Sequence, residues 1–282
     1  MGSGIAGRLL DAGFAVTIYN RTAAATDALV ARGARRAARP AEAVILGGIA
    51  VTMLANDAAL SEVTVGAGGF LPVLGKDGLH ISMSTVSPAL IGDLAARHRA
   101  AGGDLLGSPV FGRPDAAAAG RLWVALSGSD AAKARAKPVH EAVSQGIFDF
   151  GDEPESALVA KIGGNFLILA AIEALAEAFA LMGKSGVDAR QFHDMISRTL
   201  FDGVVYRNYG RIILDRAFEP AGFKLKLGLK DVGLALQQGA VSETPLPLAS
   251  LLRDRFVSSL AKGRGEIDWA AIALAAAEDA GL

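Results

Sequence analysis

From the N-terminus to about Gly151, short runs rich in β-branched and apolar residues alternate with alanine-rich stretches of helical period. A strand covered by helices on both faces reads as a nearly continuous apolar run, so this alternation predicts a parallel sheet sandwiched between helices. The strands it predicts are Ala15 to Tyr19, Ala50 to Leu54, Leu79 to Met83, Asp104 to Ser108 and Leu122 to Ser127. Turn chemistry agrees: Gly13 stops a first helix, and the Ser87-Pro88 step opens another that runs to about Ala101.

After Gly151 the strand signals cease. Ser156 to Met182 reads as one helix with apolar positions nearly all the way round, which implies burial on most sides. At about 1.5 Å per residue it is about 40 Å long. The remainder to Leu282 is helical, punctuated at Gly186, Gly203, Pro220 and the Pro245/Pro247 pair, with no internal repeat. Two domains are therefore expected, residues 1–153 of α/β type and residues 154–282 all helical, with the boundary near Glu153.

Composition narrows the function classes. The chain has 282 residues, 51% of them hydrophobic, and a mean hydropathy of +0.36. Much of that score is alanine, and the most apolar stretch, Ile162 to Met182, is interrupted by Asn165, Glu173 and Glu177, which are costly in hydrocarbon. No membrane span and no export leader are predicted, and the expected location is cytoplasmic. Cysteine is absent, and His80, His98, His140 and His193 are scattered without metal-site spacing, so no metal is expected. Lys plus Arg total 28 against 29 for Asp plus Glu. That balance gives no general attraction to nucleic acid or anionic lipid and leaves a small molecule as the expected partner.

Three groups of residues carry candidate chemistry. Gly2-Ser3-Gly4-Ile5-Ala6-Gly7 matches the letters of a dinucleotide fingerprint, in which glycines let the backbone and a helix N-terminus approach a pyrophosphate, but no strand precedes it. The strand ending in Tyr19-Asn20-Arg21-Thr22 sits where such folds read the adenosine ribose. An acidic residue there would accept from the 2′-hydroxyl of NAD, so Asn20 and Arg21 favour NADP, the other reading of Arg21 being a solvated charge in a turn. Lys161 and Asn165 stand four residues apart on one face of the long helix, with Gly163-Gly164 between them. A lysine in a half-buried cleft can donate or accept a proton, whereas an isolated lysine near a helix start more often snorkels to solvent.

Together these residues resemble the β-hydroxyacid dehydrogenases, the family of 3-hydroxyisobutyrate dehydrogenase, tartronate semialdehyde reductase and the glyoxylate/succinic semialdehyde reductases. Met1-Gly2 is similar to the end of the family's glycine-rich loop, and Gly13 to Thr22 to its second strand. Val51-Thr52-Met53-Leu54 resembles the strand beneath the nicotinamide ribose, and Met83-Ser84-Thr85-Val86-Ser87-Pro88 a Ser-Thr motif beside the substrate. Ser108-Pro109-Val110-Phe111-Gly112 occupies the substrate-anchoring segment and precedes Gly120-Arg121-Leu122. Lys161 with Asn165 resembles the catalytic lysine and its companion, and Phe223 with Lys230-Asp231 a late motif reaching over the site.

The resemblance implies a Rossmann-like domain followed by an all-α domain like the C-terminal part of 6-phosphogluconate dehydrogenase, forming a homodimer or homotetramer through the helical domain. It implies NADP(H), with NAD(H) as the alternative, and a substrate bearing a carboxylate. Lys161 and Asn165 are then catalytic, and Thr85, Phe111, Gly112, Arg113, Phe223 and Asp231 are substrate residues. Gly2, Asn20, Arg21, Thr22, Met53, Leu54, Thr85 and Lys230 are cofactor residues. The implied reaction interconverts a short β-hydroxy acid and its semialdehyde or keto form. An imine reductase of the same architecture is the nearest enzymatic alternative, though those enzymes commonly lack the lysine, and a non-catalytic dimeric scaffold is the other.

Two departures stand out. Phe111-Gly112-Arg113 stands where many relatives carry Ser-Gly-Gly or Ser-Gly-Ser, replacing a hydroxyl donor with a ring and adding a guanidinium that either pairs with a carboxylate or lies at the surface before Pro114. In the family's register Gly2 is the third fingerprint glycine, so a sheet lacking its first strand is expected, and Gly7 requires another explanation.

Overall fold

The alternation of apolar runs folds as expected in the first half of the chain. A computed structural model describes residues 1–282, and contacts within the chain group into two units, Met1–Lys161 and Ile162–Leu282. The first unit runs α1 (Gly2–Asp11), β1 (Thr17–Ile18), α2 (Asp27–Val30), β2 (Arg35–Arg36), β3 (Ile49–Thr52), α3 (Asp57–Val65), α4 (Leu71–Leu74) and β4 (Leu79–Ser82). It continues through α5 (Pro88–Ala100), β5 (Asp104–Gly107), β6 (Val110–Phe111), α6 (Pro114–Ala118), β7 (Leu122–Leu126), α7 (Asp130–Val143) and β8 (Ser144–Asp149). The helix α8 (Ser156–Lys184) carries the chain from the first unit into the second.

β3, β4 and β5 pair in parallel in that order, and β1 pairs in parallel with β2 alone. β7 pairs in parallel with β8 and antiparallel with β6. Successive residues of β5 point to opposite faces, as a strand requires. Leu106 joins a core with Ile5 and Leu9 of α1 and Ala132, Ala136 and Val139 of α7. Leu105 joins another with Leu60 of α3 and Ile91 and Leu94 of α5. Helices thus cover both faces of the sheet, and the unit is Rossmann-like.

Three strands lie outside the sequence expectation. β2 consists of two exposed arginines, and β8 is an edge strand whose later residues are mostly exposed, so neither displays the apolar run of a covered strand. β6 is only two residues long. The predicted first strand, Ala15 to Tyr19, contracts to Thr17–Ile18.

The glycine motif at the start is helix, and its later glycines serve packing. A Cβ on Gly4 would lie 2.9 Å from the backbone nitrogen of Ala118 in α6, and one on Gly7 2.7 Å from the Arg32 guanidinium. Arg32 reaches over Gly7 to donate to its carbonyl at 3.1 Å and to Asp11 at 2.6 Å. Side-chain volume at Gly7 would shift the flexible end of that arginine.

The second unit packs α9 (Ala189–Arg198), α10 (Val204–Leu214), α11 (Leu225–Val241), α12 (Pro247–Ala261) and α13 (Ala273–Asp279) with the later part of α8. Leu169, Ile172, Leu175 and Phe179, at helical spacing, join Leu225, Val232, Leu252, Phe256 and Trp269 in its core. By length and composition α8 could cross a membrane, with a mean hydropathy of 2.0 over its most apolar window. Yet Glu173 on it is buried and receives the Arg255 guanidinium at 2.7 Å, an ion pair made against the protein.

Candidate active site

β3 and β4 end side by side, and the residues beyond them are held by hydrogen bonds. The Leu54 amide donates to the buried Ser84 hydroxyl at 2.8 Å, tying the Met53-Leu54 segment to the Met83-Ser84-Thr85 segment. Asp57, at the start of α3, accepts from the Ser87 amide at 3.0 Å and from its hydroxyl, which also caps α5. Ser84 and Ser87 belong to the Ser-Thr segment seen in the sequence, whereas Asp57, which holds Ser87, carried no such signal.

Beneath these loops Thr52 contacts His80 Nε2 at 2.8 Å, and His80 Nδ1 contacts His98 Nε2 at 3.1 Å. Both rings are fully buried. Burial pushes His80 well below the usual histidine range, and the neighbouring His98 adds to this. Burial holds His98 at about 4, opposed by the Asp104 carboxylate. Near pH 7 the pair is neutral, a polar brace between β3, β4 and α5.

Lys161 lies in the first unit, buried, with its ammonium 3.8 Å from the centroid of the Phe111 ring. The negative face of the ring attracts the cation. Phe111 closes β6 against Trp123 of β7, and the chain then turns at Gly112, whose φ of +142° favours glycine. A Cβ on Gly112 would also lie 2.7 Å from Leu122. Arg113 follows, half-buried, at the start of α6. The structure therefore brings Phe111 to Lys161, a meeting across fifty residues of sequence that no local spacing signals.

One turn along α8, Asn165 belongs to the second unit and donates from Nδ2 to the buried Asp231 at 2.6 Å. Lys230 Nζ stands 2.8 Å from the other Asp231 oxygen. Asp231 thereby fixes the orientation of the Asn165 amide. Phe223 packs edge-on against Trp269 with ring centroids 4.6 Å apart, and its amide donates to Asp268 at 3.1 Å.

The residues that the cofactor reading singles out divide in two. Gly2, Asn20, Met53 and Leu54 line one cavity of about 670 Å³, while Arg21 and Thr22 lie exposed just beyond β1. Thr85 is half-buried after β4 and Lys230 belongs to the second unit. A dinucleotide fits this donor set at its adenosine end, because Asn20 and Arg21 offer donors and no carboxylate, and α1 begins without a side-chain cap on its N–H groups.

These features define the class of a dinucleotide-dependent oxidoreductase with a Rossmann-like unit and a helical unit. Comparison with known proteins agrees. The family described as the NAD binding domain of 6-phosphogluconate dehydrogenase matches residues 1–151. That described as the NAD-binding of NADP-dependent 3-hydroxyisobutyrate dehydrogenase matches residues 156–276. The uncharacterized oxidoreductase YfjR of Bacillus subtilis is 46% identical over 96% of this chain and 95% of its own length. The 3-sulfolactaldehyde reductase of Escherichia coli is 31% identical over 96% of this chain and 91% of its own. The crystal structure of 3-hydroxyisobutyrate dehydrogenase from Salmonella typhimurium superposes with a TM-score of 0.86 at 28% identity, covering 96% of this chain and 95% of that one.

The chain belongs to the β-hydroxyacid dehydrogenase family. It is an oxidoreductase that acts on CH–OH groups with NADP(H) or NAD(H).

Proposed function

We propose that the protein interconverts a short β-hydroxy acid and its semialdehyde with a preference for NADP(H), and that Lys161 carries the proton. The observation that carries this reading is the burial of Lys161 with its ammonium set over Phe111, next to the Gly112 turn. A lysine that merely snorkelled would carry its charge to water.

When bound, the nicotinamide supplies or accepts hydride. In the reducing direction Lys161 Nζ donates a proton to the carbonyl oxygen as the carbon is reduced. In the oxidising direction the neutral amine accepts the hydroxyl proton. Asn165, held by Asp231, is the companion that fixes orientation. Thr85, the Gly112 backbone and Arg113 are assigned to the carboxylate, with Arg113 supplying charge-assisted hydrogen bonds. Phe223 and Asp231 complete the assignment of substrate residues. Cofactor contacts fall to Gly2, Asn20, Arg21, Thr22, Met53, Leu54, Thr85 and Lys230. Arg21 supports the NADP preference, since a guanidinium there attracts a 2′-phosphate that an acidic residue would repel. A cytoplasmic homodimer or homotetramer formed through the helical unit completes the proposal.

Steady-state turnover of a panel of short semialdehydes, with cyclic imines alongside and both NADPH and NADH, tests this reading. Turnover of a carboxylate-bearing semialdehyde with NADPH supports it. Turnover of imines alone refutes it.

A further inference from the structure

One face of the β6-β7-β8 sheet carries an aromatic row that starts at Lys161. Phe111 of β6 pairs with Trp123 of β7, and Trp123 pairs with Gly146 of β8. Paired residues share a face, and Phe148, two residues beyond Gly146, lies on the same face of β8. Leu122, Val124 and Leu126, which alternate with Trp123 along β7, are buried on the opposite face in the core with α1 and α7. Trp123 is instead 43% exposed and Phe148 57%.

The two rings are seated on the sheet. A Cβ on Gly146 would lie 2.3 Å from the benzo ring of Trp123, so the indole fills the space that a side chain there would need. Gly146 has no positive φ, and it is therefore the ring, not the backbone, that calls for glycine. Phe148 lies beside the indole, with ring centroids 5.9 Å apart and planes 47° apart.

Size and charge limit what can cover these rings. An aromatic side chain buries about 150–250 Å², so the exposed parts of Trp123 and Phe148 together offer on the order of 200 Å². Each partner in a stable protein interface gives about 800 Å². The patch suits a single small ring. β6 and β7 stand about 4.8 Å apart, so a group bound at Phe111 reaches Trp123 through a substituent about as long as a phenyl or benzyl group. An indole also attracts cations, but a cationic substituent would meet the Lys161 ammonium set over Phe111. A neutral ring meets no such opposition and gains from stacking.

We propose that Trp123 and Phe148 form an aromatic subsite beside Lys161, and that the β-hydroxy acid on which the enzyme acts carries an aryl substituent. This rests on the assignment of Lys161 to the reacting oxygen, which puts a group at Phe111 next to the carbon that is oxidised or reduced. Trp123 then determines specificity and takes no part in proton transfer.

The test compares kcat/KM for NADP-dependent oxidation of two stable acids, 3-hydroxypropanoate bearing either a benzyl or a methyl group on the carbon next to the carboxylate. Wild type should favour the benzyl acid at least tenfold. In Trp123→Ser the benzyl-to-methyl ratio should fall at least fivefold, while Trp123→Phe, which keeps a ring, should retain most of it. Gly146→Ala, which forces the indole off the strand, should lower the ratio in the same direction. A purely structural role for Trp123 would lower both acids together and leave the ratio unchanged. Titration with the benzyl acid, followed by tryptophan fluorescence, needs no turnover. Trp123 is exposed and Trp269 buried, so saturable quenching is expected in wild type and none in Trp123→Phe.

A wild-type ratio near one, or a ratio unmoved in both Trp123→Ser and Gly146→Ala, overturns the subsite and leaves the proposed reaction standing. Oxidation of neither acid counts against the reaction, and the titration then decides the subsite: saturable quenching sustains it and its absence overturns it. A fluorescence shift that follows protein concentration without any acid also overturns it, because a second copy then covers the face.

Discussion

Phe111 puts a ring where the family resemblance implies a small hydroxyl residue, and that ring lies under Lys161. A cation–π contact contributes about 0.5–2 kcal/mol, so Phe111→Leu should lower turnover by about 2- to 30-fold at about 1.4 kcal/mol per tenfold. Phe111→Tyr keeps the ring and should stay near wild type. Equal turnover for the leucine variant would reduce the contact to packing. Arg21, exposed beyond β1, is proposed to bear on the cofactor. Arg21→Asp should weaken NADPH binding in fluorescence titration by at least tenfold while sparing NADH. Equal loss for both would make Arg21 structural. At this scale Lys161, Asn165 and the Phe111-Gly112-Arg113 segment are visible in the sequence because residue type and spacing are local. The ring beneath the ammonium and the Asp231 carboxylate on Asn165 arise only when distant segments meet.

Among the elements, β4 shows what the apolar pattern hides. Its four residues are all buried, yet one is His80, paired with His98 of α5. The folded value of about 4 for His98, and likewise for the buried His140, lies below the ordinary value of about 6.5. Between those values the unfolded chain binds more protons. Their contribution to stability is therefore complete above about pH 6.5 and is lost as pH falls towards 4. The urea midpoint should decline across that interval, and His98→Gln should flatten part of the decline. A midpoint constant from pH 6.5 to 4.5 would contradict the burial of neutral rings. The strands flanked by helices were legible because burial on two faces writes a continuous apolar run. The strands β2 and β8 were not, because exposed edges impose no such pattern. The opening motif illustrates the converse: Gly4 matches a phosphate loop in letters, while close packing of α1 against the Ala117-Ala118 backbone requires it.

Across the whole molecule, the order of elements and the family agree on a Rossmann-like unit followed by a helical one, joined in sequence by α8. The long apolar helix was legible as one helix but is less buried than its all-round apolar pattern implies, with Leu167 and Leu181 exposed, while Asn165 and Glu173 are buried with partners in the second unit. The proposed chemistry rests on one side chain of that helix. The most direct measurement is kcat for wild type and Lys161→Ala on the same semialdehyde, with NADPH affinity determined in parallel. Loss of the proton donor should lower kcat by about 10² to 10⁴ with affinity nearly unchanged, and Lys161→Arg should not restore it, because a guanidinium keeps its proton. A Lys161→Ala enzyme with wild-type kcat would contradict the account.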